Sequence, residues 1–131
     1  MKKLTLAALA GAAAVTVTPA AAVSPGLSPH VYSARIAGAT PAVLNGTWRL
    51  TVNKPGFSVT KDGSAAIVGT VQIAGNRVTF RDGGGPFACR GAQRTGTYTW
   101  RLARKRLTLA RVNDACVGRR TVFAHAFTRV V

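Results

Sequence analysis

The two cysteines are the residues with the most definite chemistry in this sequence. Cys89 and Cys116 are the only cysteines of the chain. In an exported chain an even pair predicts a disulfide, which would close a loop of about 27 residues and add roughly 3 kcal/mol to stability. Two free thiols are the alternative, and a redox role is not indicated because Cys-x-x-Cys is absent from the sequence.

The acidic residues are few and do not form a catalytic set. The chain has three Asp and no Glu. Asp62 and Asp82 each precede glycine, and turn chemistry explains both placements. We expect Asp82 or Asp114 to form a local ion pair with Arg111 or Arg119. Glycoside hydrolysis would need two carboxylates facing a sugar across a cleft, which turn placement argues against.

The remaining candidates for catalysis or metal binding are equally sparse. The histidines are His30 and His125, and they lie far apart in the sequence. Their spacing from the cysteines does not match a metal site. The chain has no Gly-x-Ser-x-Gly motif, which would indicate a nucleophile. We therefore predict a protein without catalytic residues, metal or cofactor.

Aromatic residues alternate with polar ones along most of the chain, which is typical of strands with one buried face. They can fill a core or wall a pocket for a small hydrophobic ligand. The second interpretation makes the ligand-lining residues Phe57, Phe80, Tyr98, Trp100, Phe123, His125 and Phe127.

The charge balance is extreme. The chain has 18 Lys plus Arg against three Asp, a net charge of +15. Such a field attracts polyanions and acidic surfaces. Alternation places the charges outward and the aromatics inward, whereas single-strand nucleic-acid platforms interleave them, so we do not expect nucleic acid as a partner. The alternatives are a solvated surface that aids solubility and a surface that binds anionic envelope polymers or lipid headgroups.

The first residues of the chain have the pattern of an export signal. Lys2 and Lys3 precede an apolar run, and the small residues of 20–22 follow Pro19. We interpret 1–22 as a signal peptide for the general secretory route, which leaves a secreted protein with no transmembrane anchor after cleavage. Residues 23–41, rich in Ser, Pro, Gly and Ala, are predicted to be a flexible N-terminal arm, although 31–36 also fit a short extra strand.

Residues 42–131 are predicted to form one all-β domain. About eight short strands recur at intervals of about ten residues, with turn signals such as Asp62-Gly63 between them. We include a short strand near 87–90 and a last strand over 120–130, and we expect no helix. A meander of this kind removes its edges most simply by closing, so we predict a small antiparallel up-and-down β-barrel rather than a sandwich.

One short motif carries a family resemblance. Leu44-Asn45-Gly46-Thr47-Trp48 resembles the Gly-x-Trp opening of the first barrel strand in the lipocalin and calycin group. The resemblance implies that Trp48 plugs the barrel floor and that Arg129, on the last strand, stacks on it. It also implies a binding function for the interior, although the chain is shorter than larger lipocalins.

Three functional hypotheses follow, and none of them is an enzyme. The first is a secreted lipocalin-like protein that binds a small hydrophobic ligand. The second is a secreted inhibitor of an extracellular protease, since some bacterial metalloprotease inhibitors resemble this size and use a flexible N-terminal arm. The third is a basic protein that binds anionic polymers of the cell envelope.

Overall fold

A computed structural model describes residues 11–13 and 26–131, and within them eight strands form one closed barrel. Every strand is antiparallel to both of its neighbours, and the last strand pairs with the first. The predicted all-β, eight-stranded up-and-down barrel is thus confirmed, and its architecture is compatible with the calycin group. Its strands are β1 His30–Ile36, β2 Gly46–Asn53, β3 Gly56–Lys61, β4 Ser64–Ala74, β5 Arg77–Gly84, β6 Thr95–Ala103, β7 Arg106–Asn113 and β8 Phe127–Arg129.

The barrel begins earlier than the sequence pattern indicated. Strand β1 lies inside the segment that we assigned to a flexible arm, so the boundary after residue 41 is corrected. Tyr32 pairs with Leu50 of β2 on one side and with Arg129 of β8 on the other. The buried side chains of Tyr32, Ala34 and Ile36 recur at every second position and face the core. The flanking prolines and small residues favoured the arm, although the alternation at 31–36 also fitted a short strand.

The end of the chain also differs from the expectation. The predicted strand over 120–130 is wrong for its first half, because helix α1 spans Val117–Phe123 and β8 has only three residues. The backbone N–H of Arg119 lies 3.5 Å from Sγ of Cys116, which occupies the N-cap of this helix. A helix of two turns is too short to show a 3.6-residue period. Likewise, residues 87–90 form a loop rather than a strand, followed by a 3-10 turn at Gly91–Gln93.

The antiparallel order gives the barrel two different ends. At one end, which we call the hairpin end, lie three tight turns, around residues 54, 75 and 104. At the other, which we call the helix end, lie the segments 37–45, 85–94 and 114–126, the last of which contains α1. The hairpin predicted at Asp62-Gly63 also lies at the helix end, with positive φ angles at both residues.

Apolar side chains fill the space between the strands. They include Trp48, Leu50, Phe80 and Leu107, each at most 1% exposed. Among the residues that the structure describes, no helix is long and apolar enough to cross a membrane. Apart from 11–13, the predicted signal peptide 1–22 lies outside the described residues.

Candidate functional site

The predicted disulfide is present. Cys89 and Cys116 are bonded, with their Cα atoms 6.1 Å apart. Cys89 belongs to the loop between β5 and β6, and Cys116 begins α1. The bond therefore ties that loop to the helix at the helix end of the barrel.

A buried ionic cluster lies next to the disulfide, centred on Arg119. Its guanidinium donates two hydrogen bonds to Asp114, from Nε to Oδ2 at 2.7 Å and from Nη2 to Oδ1 at 2.8 Å. The hydroxyl of Tyr98 donates to Oδ2 of the same carboxylate, and the backbone N–H of Cys116 donates to Oδ1 at 2.9 Å. Asp114 is thereby held by α1, by the N-cap residue of that helix and by β6.

The other side of the guanidinium faces Asp82 and the backbone. Nη1 lies 3.0 Å from Oδ1 of Asp82, an ion pair in which that oxygen accepts no well-aligned hydrogen bond from the described residues. Asp82 Oδ2 accepts from the backbone N–H of Cys89 at 2.8 Å. Arg119 also donates to the carbonyl oxygens of Gln93 and Arg94. The predicted local ion pair is confirmed with Arg119 as its cation, and it joins both aspartates rather than one.

Burial governs the acid–base properties of this cluster. Burial raises the pKa of Asp82, and the Cys89 N–H and Arg119 offset only part of that effect. For Asp114, burial also acts to raise the pKa, but the donors Arg119, Tyr98 and Cys116 outweigh it and leave the pKa lowered. Burial, together with the hydrogen bond to Asp114, raises the pKa of Tyr98. The pKa of Arg119 is raised, because the two carboxylates outweigh its burial.

One glycine makes room for the cluster. A Cβ atom added at Gly96 would lie 2.5 Å from Cγ of Asp114 and 2.8 Å from Nε of Arg119. Any side chain at this position of β6 would displace the ion pair. Sequence reasoning identified the pair but missed Gly96, since alternation alone shows only that the position faces inward.

The cluster is almost closed off from solvent. Asp82, Asp114 and Arg119 are 1%, 6% and 3% exposed. Ligand atoms of Asp82, Cys89 and Cys116 form the one possible metal-binding group found in the described part of the chain. Both sulfurs are committed to the disulfide, so they cannot act as thiolate ligands while it is intact.

Trp48 is buried near the helix end of the barrel. Its side chain is 1% exposed, and its indole Nε1–H donates to the carbonyl of Leu44 at 2.8 Å. The ring of Phe87 packs edge-on against the indole with ring centres 5.3 Å apart. Arg119, one of the arginines at this end, lines the same small cleft as Trp48.

The expected stacking of Arg129 on Trp48 is not found among the described residues. Strands β2 and β8 are both antiparallel to β1, so they run in the same direction. Arg129 pairs with Tyr32 and Trp48 with Ala34, so strand β1 lies between the two residues. Among the described residues the cation–π contact found is that of Lys61 over Phe87, not one of Arg129 with Trp48.

The inward aromatic residues pack on one another. Phe80 lies within 6.2 Å, between ring centres, of Phe57, Tyr98 and Phe123. Phe123, predicted on a strand, comes from α1 and still reaches the core, where it contacts Phe127 edge-on. Five of the predicted ligand-lining residues thus occupy the interior themselves.

The other two predicted lining residues lie at the margins. Trp100 is half-buried, and its indole donates to the carbonyl of Gly75 at 3.0 Å at the hairpin end. His125 follows α1 rather than lying on a strand, and Nδ1 lies 3.0 Å from the carbonyl oxygen of Thr121. The largely apolar cleft beside Trp48 and Phe87 has about 20 Å³ of free space, enough for about one water molecule.

The outer surface carries the charge. Asp62 pairs with Lys61, and Asp82 and Asp114 pair with Arg119. In residues 11–13 and 26–131 no other lysine or arginine lies within 4.0 Å of a carboxylate oxygen. The barrel therefore exposes many cations and few anions.

Comparison with known proteins adds no assignment: no family model, curated protein or solved structure matches this chain.

Proposed function

We propose that this protein is a secreted, lipocalin-like barrel that binds anionic polymers of the cell envelope without catalysing a reaction. The observation that carries the proposal is a cationic face on β5 and β6. Arg77, Arg81 and Arg101 are exposed and alternate with inward residues, so all three project outward. None of them has a carboxylate partner among the described residues.

Neutral hydrogen-bonding groups lie beside one of these arginines, Arg81. Thr70, Gln72, Thr79 and Thr95 line a shallow groove of about 160 Å³ together with Arg81. Register explains the grouping, because Arg81 lies opposite Thr70 on one side and Thr95 on the other. Guanidinium groups bind phosphate and carboxylate in a bidentate manner, while hydroxyl and amide groups can bind polymer hydroxyls. We call these three arginines and the groove the β4–β6 face.

The other two hypotheses have less support. A small hydrophobic ligand in the interior needs space that the aromatic rings fill. An inhibitor that acts through a free arm needs a longer arm, whereas β1 takes up 30–36 and Leu27 is 1% exposed. Secretion is consistent with the disulfide, which persists in oxidising compartments.

A binding experiment tests the polymer proposal. We expect poly(glycerol phosphate) to bind the protein at low salt and neutral dextran not to bind. The affinity for poly(glycerol phosphate) should fall steeply between roughly 20 and 500 mM NaCl, the range over which salt screens charges. Affinity that is independent of salt would refute an electrostatic surface.

A matched pair of variants locates the site. The triple variant R77Q/R81Q/R101Q should lose about tenfold or more in affinity. The control R35Q/R49Q/K54Q removes the same number of charges near β1 and β2, and it should lose clearly less. Equal losses in both variants would mean that net charge alone attracts the polymer and that the β4–β6 face is not a site.

A further inference from the structure

We propose that a second site, at the helix end of the barrel, binds a small amphipathic anion: a carboxylate or phosphate group attached to a short apolar chain. The site is a cleft of about 270 Å³ between α1 and the ends of β6 and β7. We call it the arginine cleft. It is lined by Tyr98, Leu109, Arg111, Arg120, Phe123 and Ala124.

The first cationic residue of the cleft stands where a core residue is expected. Leu107 and Leu109 of β7 are buried and face inward. Arg111 continues this alternation and pairs in register with the buried Tyr98. Arg111 is exposed and lines the cleft. Its aliphatic part can then cover apolar surface while its guanidinium borders the cleft.

The second cation comes from the helix. Arg120 is half-buried, and its carbonyl accepts from the Ala124 N–H at the end of α1. The nearest aspartate in the sequence, Asp114, already accepts hydrogen bonds on both oxygens from Arg119, Tyr98 and Cys116. In the described chain neither Arg111 nor Arg120 has a carboxylate partner. Two arginines beside one cleft therefore remain available to an anion.

The floor of the cleft favours an apolar group. Leu109, Phe123 and Tyr98 are 6%, 3% and 1% exposed, so they form a fixed surface rather than mobile side chains. The cleft is slightly smaller than the roughly 300–1,000 Å³ typical of drug-sized ligands, which suits a short chain. A cleft with cationic groups at its border and apolar residues at its floor fits an amphipathic anion better than a free inorganic ion.

This site is separate from the β4–β6 face. The arginine cleft lies at the barrel end beside α1, whereas that face lies on the outer wall. The two proposals can therefore fail independently. The triple variant R77Q/R81Q/R101Q should retain the affinity of the arginine cleft for its ligand.

Calorimetry with three probes tests the ligand chemistry. Octyl phosphate, kept monomeric, should bind with one site per protein. Inorganic phosphate supplies the anion alone and octyl glucoside the apolar chain alone, and each should bind at least about tenfold more weakly. Equal binding of inorganic phosphate would overturn the amphipathic assignment. Equal binding of octyl glucoside would overturn the role of the arginines.

Variants then test the residues. R111Q/R120Q should lose about tenfold or more in affinity for octyl phosphate, whereas the control R104Q/K105Q, at the hairpin end, should bind like the wild type. The variant A124W keeps both cations and places a large side chain at an exposed position on the border of the cleft, so it should also abolish binding. Wild-type affinity in both R111Q/R120Q and A124W, with unchanged near-UV circular dichroism, would refute the site.

Discussion

Arg119 and Asp114 are joined by two parallel hydrogen bonds, of 2.7 and 2.8 Å, inside the end of the barrel. The pair connects α1 to the end of β7, and Arg119 extends the connection to Asp82 and to the loop carbonyls of residues 93 and 94. Together with the disulfide, it fixes the segments that bound both the small Trp48 cleft and the arginine cleft.

Removing the shared cation should destabilise the fold strongly. In R119M two buried carboxylates lose their partner, which costs about 3–5 kcal/mol in the free energy of unfolding. Urea denaturation measures this loss. The neighbouring variant R120M should change stability by less than about 0.5 kcal/mol. If R119M/D82N/D114N were no more stable than R119M, unpaired charge would not be the cause.

Loss of the disulfide should also destabilise the fold. The variant C89A/C116A opens a loop with a sequence separation of 27 residues, and its free energy of unfolding should fall by roughly 3–4 kcal/mol. Guanidinium denaturation of this variant and of the reduced wild type should give similar midpoints. An unchanged midpoint in both would show that the bond does not restrict the unfolded chain.

Position 96 should tolerate no side chain, because Asp114 and Arg119 lie close to the backbone of Gly96. In G96A the new methyl group would meet Asp114 and Arg119 at 2.5 and 2.8 Å, and overpacking of this kind costs about 3 kcal/mol. The matched control is G118A in α1, where an added Cβ meets no atom within 4 Å. It should leave stability unchanged or raise it by up to about 1 kcal/mol, because alanine favours helix. Equal thermal midpoints for the two variants would contradict this account.

Stability should fall at alkaline pH because of buried tyrosine. Burial raises the pKa of Tyr32 from 10.0 to about 12, although the charge of Arg129 opposes it. The tyrosine of the unfolded chain ionises at lower pH, so the contribution of Tyr32 to stability is complete below about pH 10. That contribution, roughly 3 kcal/mol, is lost as the pH rises to about 12. Tyr98 acts in the same direction.

The variant Y32F isolates that effect. It loses the hydrogen bond from the hydroxyl to the carbonyl of Leu27, 2.6 Å long, and should be about 1 kcal/mol less stable at pH 8. Between pH 10 and 12 its stability should fall less than that of the wild type. Parallel curves for the two proteins, from urea denaturation at each pH, would exclude Tyr32 as the titrating group.

Local sequence determined the strands, the turns and the disulfide. Alternation of apolar and polar residues sets which side chains face inward wherever a strand is long, as in β2 and β5. Asp62-Gly63 needs only its own backbone preferences to form a hairpin. Two cysteines allow only one intramolecular pairing. The excess of cations is likewise a property of composition.

Tertiary structure decided the secondary structure of the short segments and the partners of the isolated residues. Residues 117–123 have too few turns to show a helical period, and the alternation at 31–36, which fitted either an arm or a short strand, becomes a barrel strand through pairing with β2 and β8. Strand β1 also lies between Arg129 and Trp48. Ion pairs and clefts form only where the closed barrel brings together segments that are remote in sequence. The tertiary structure therefore decides which arginine pairs with which aspartate and which arginines border a cleft.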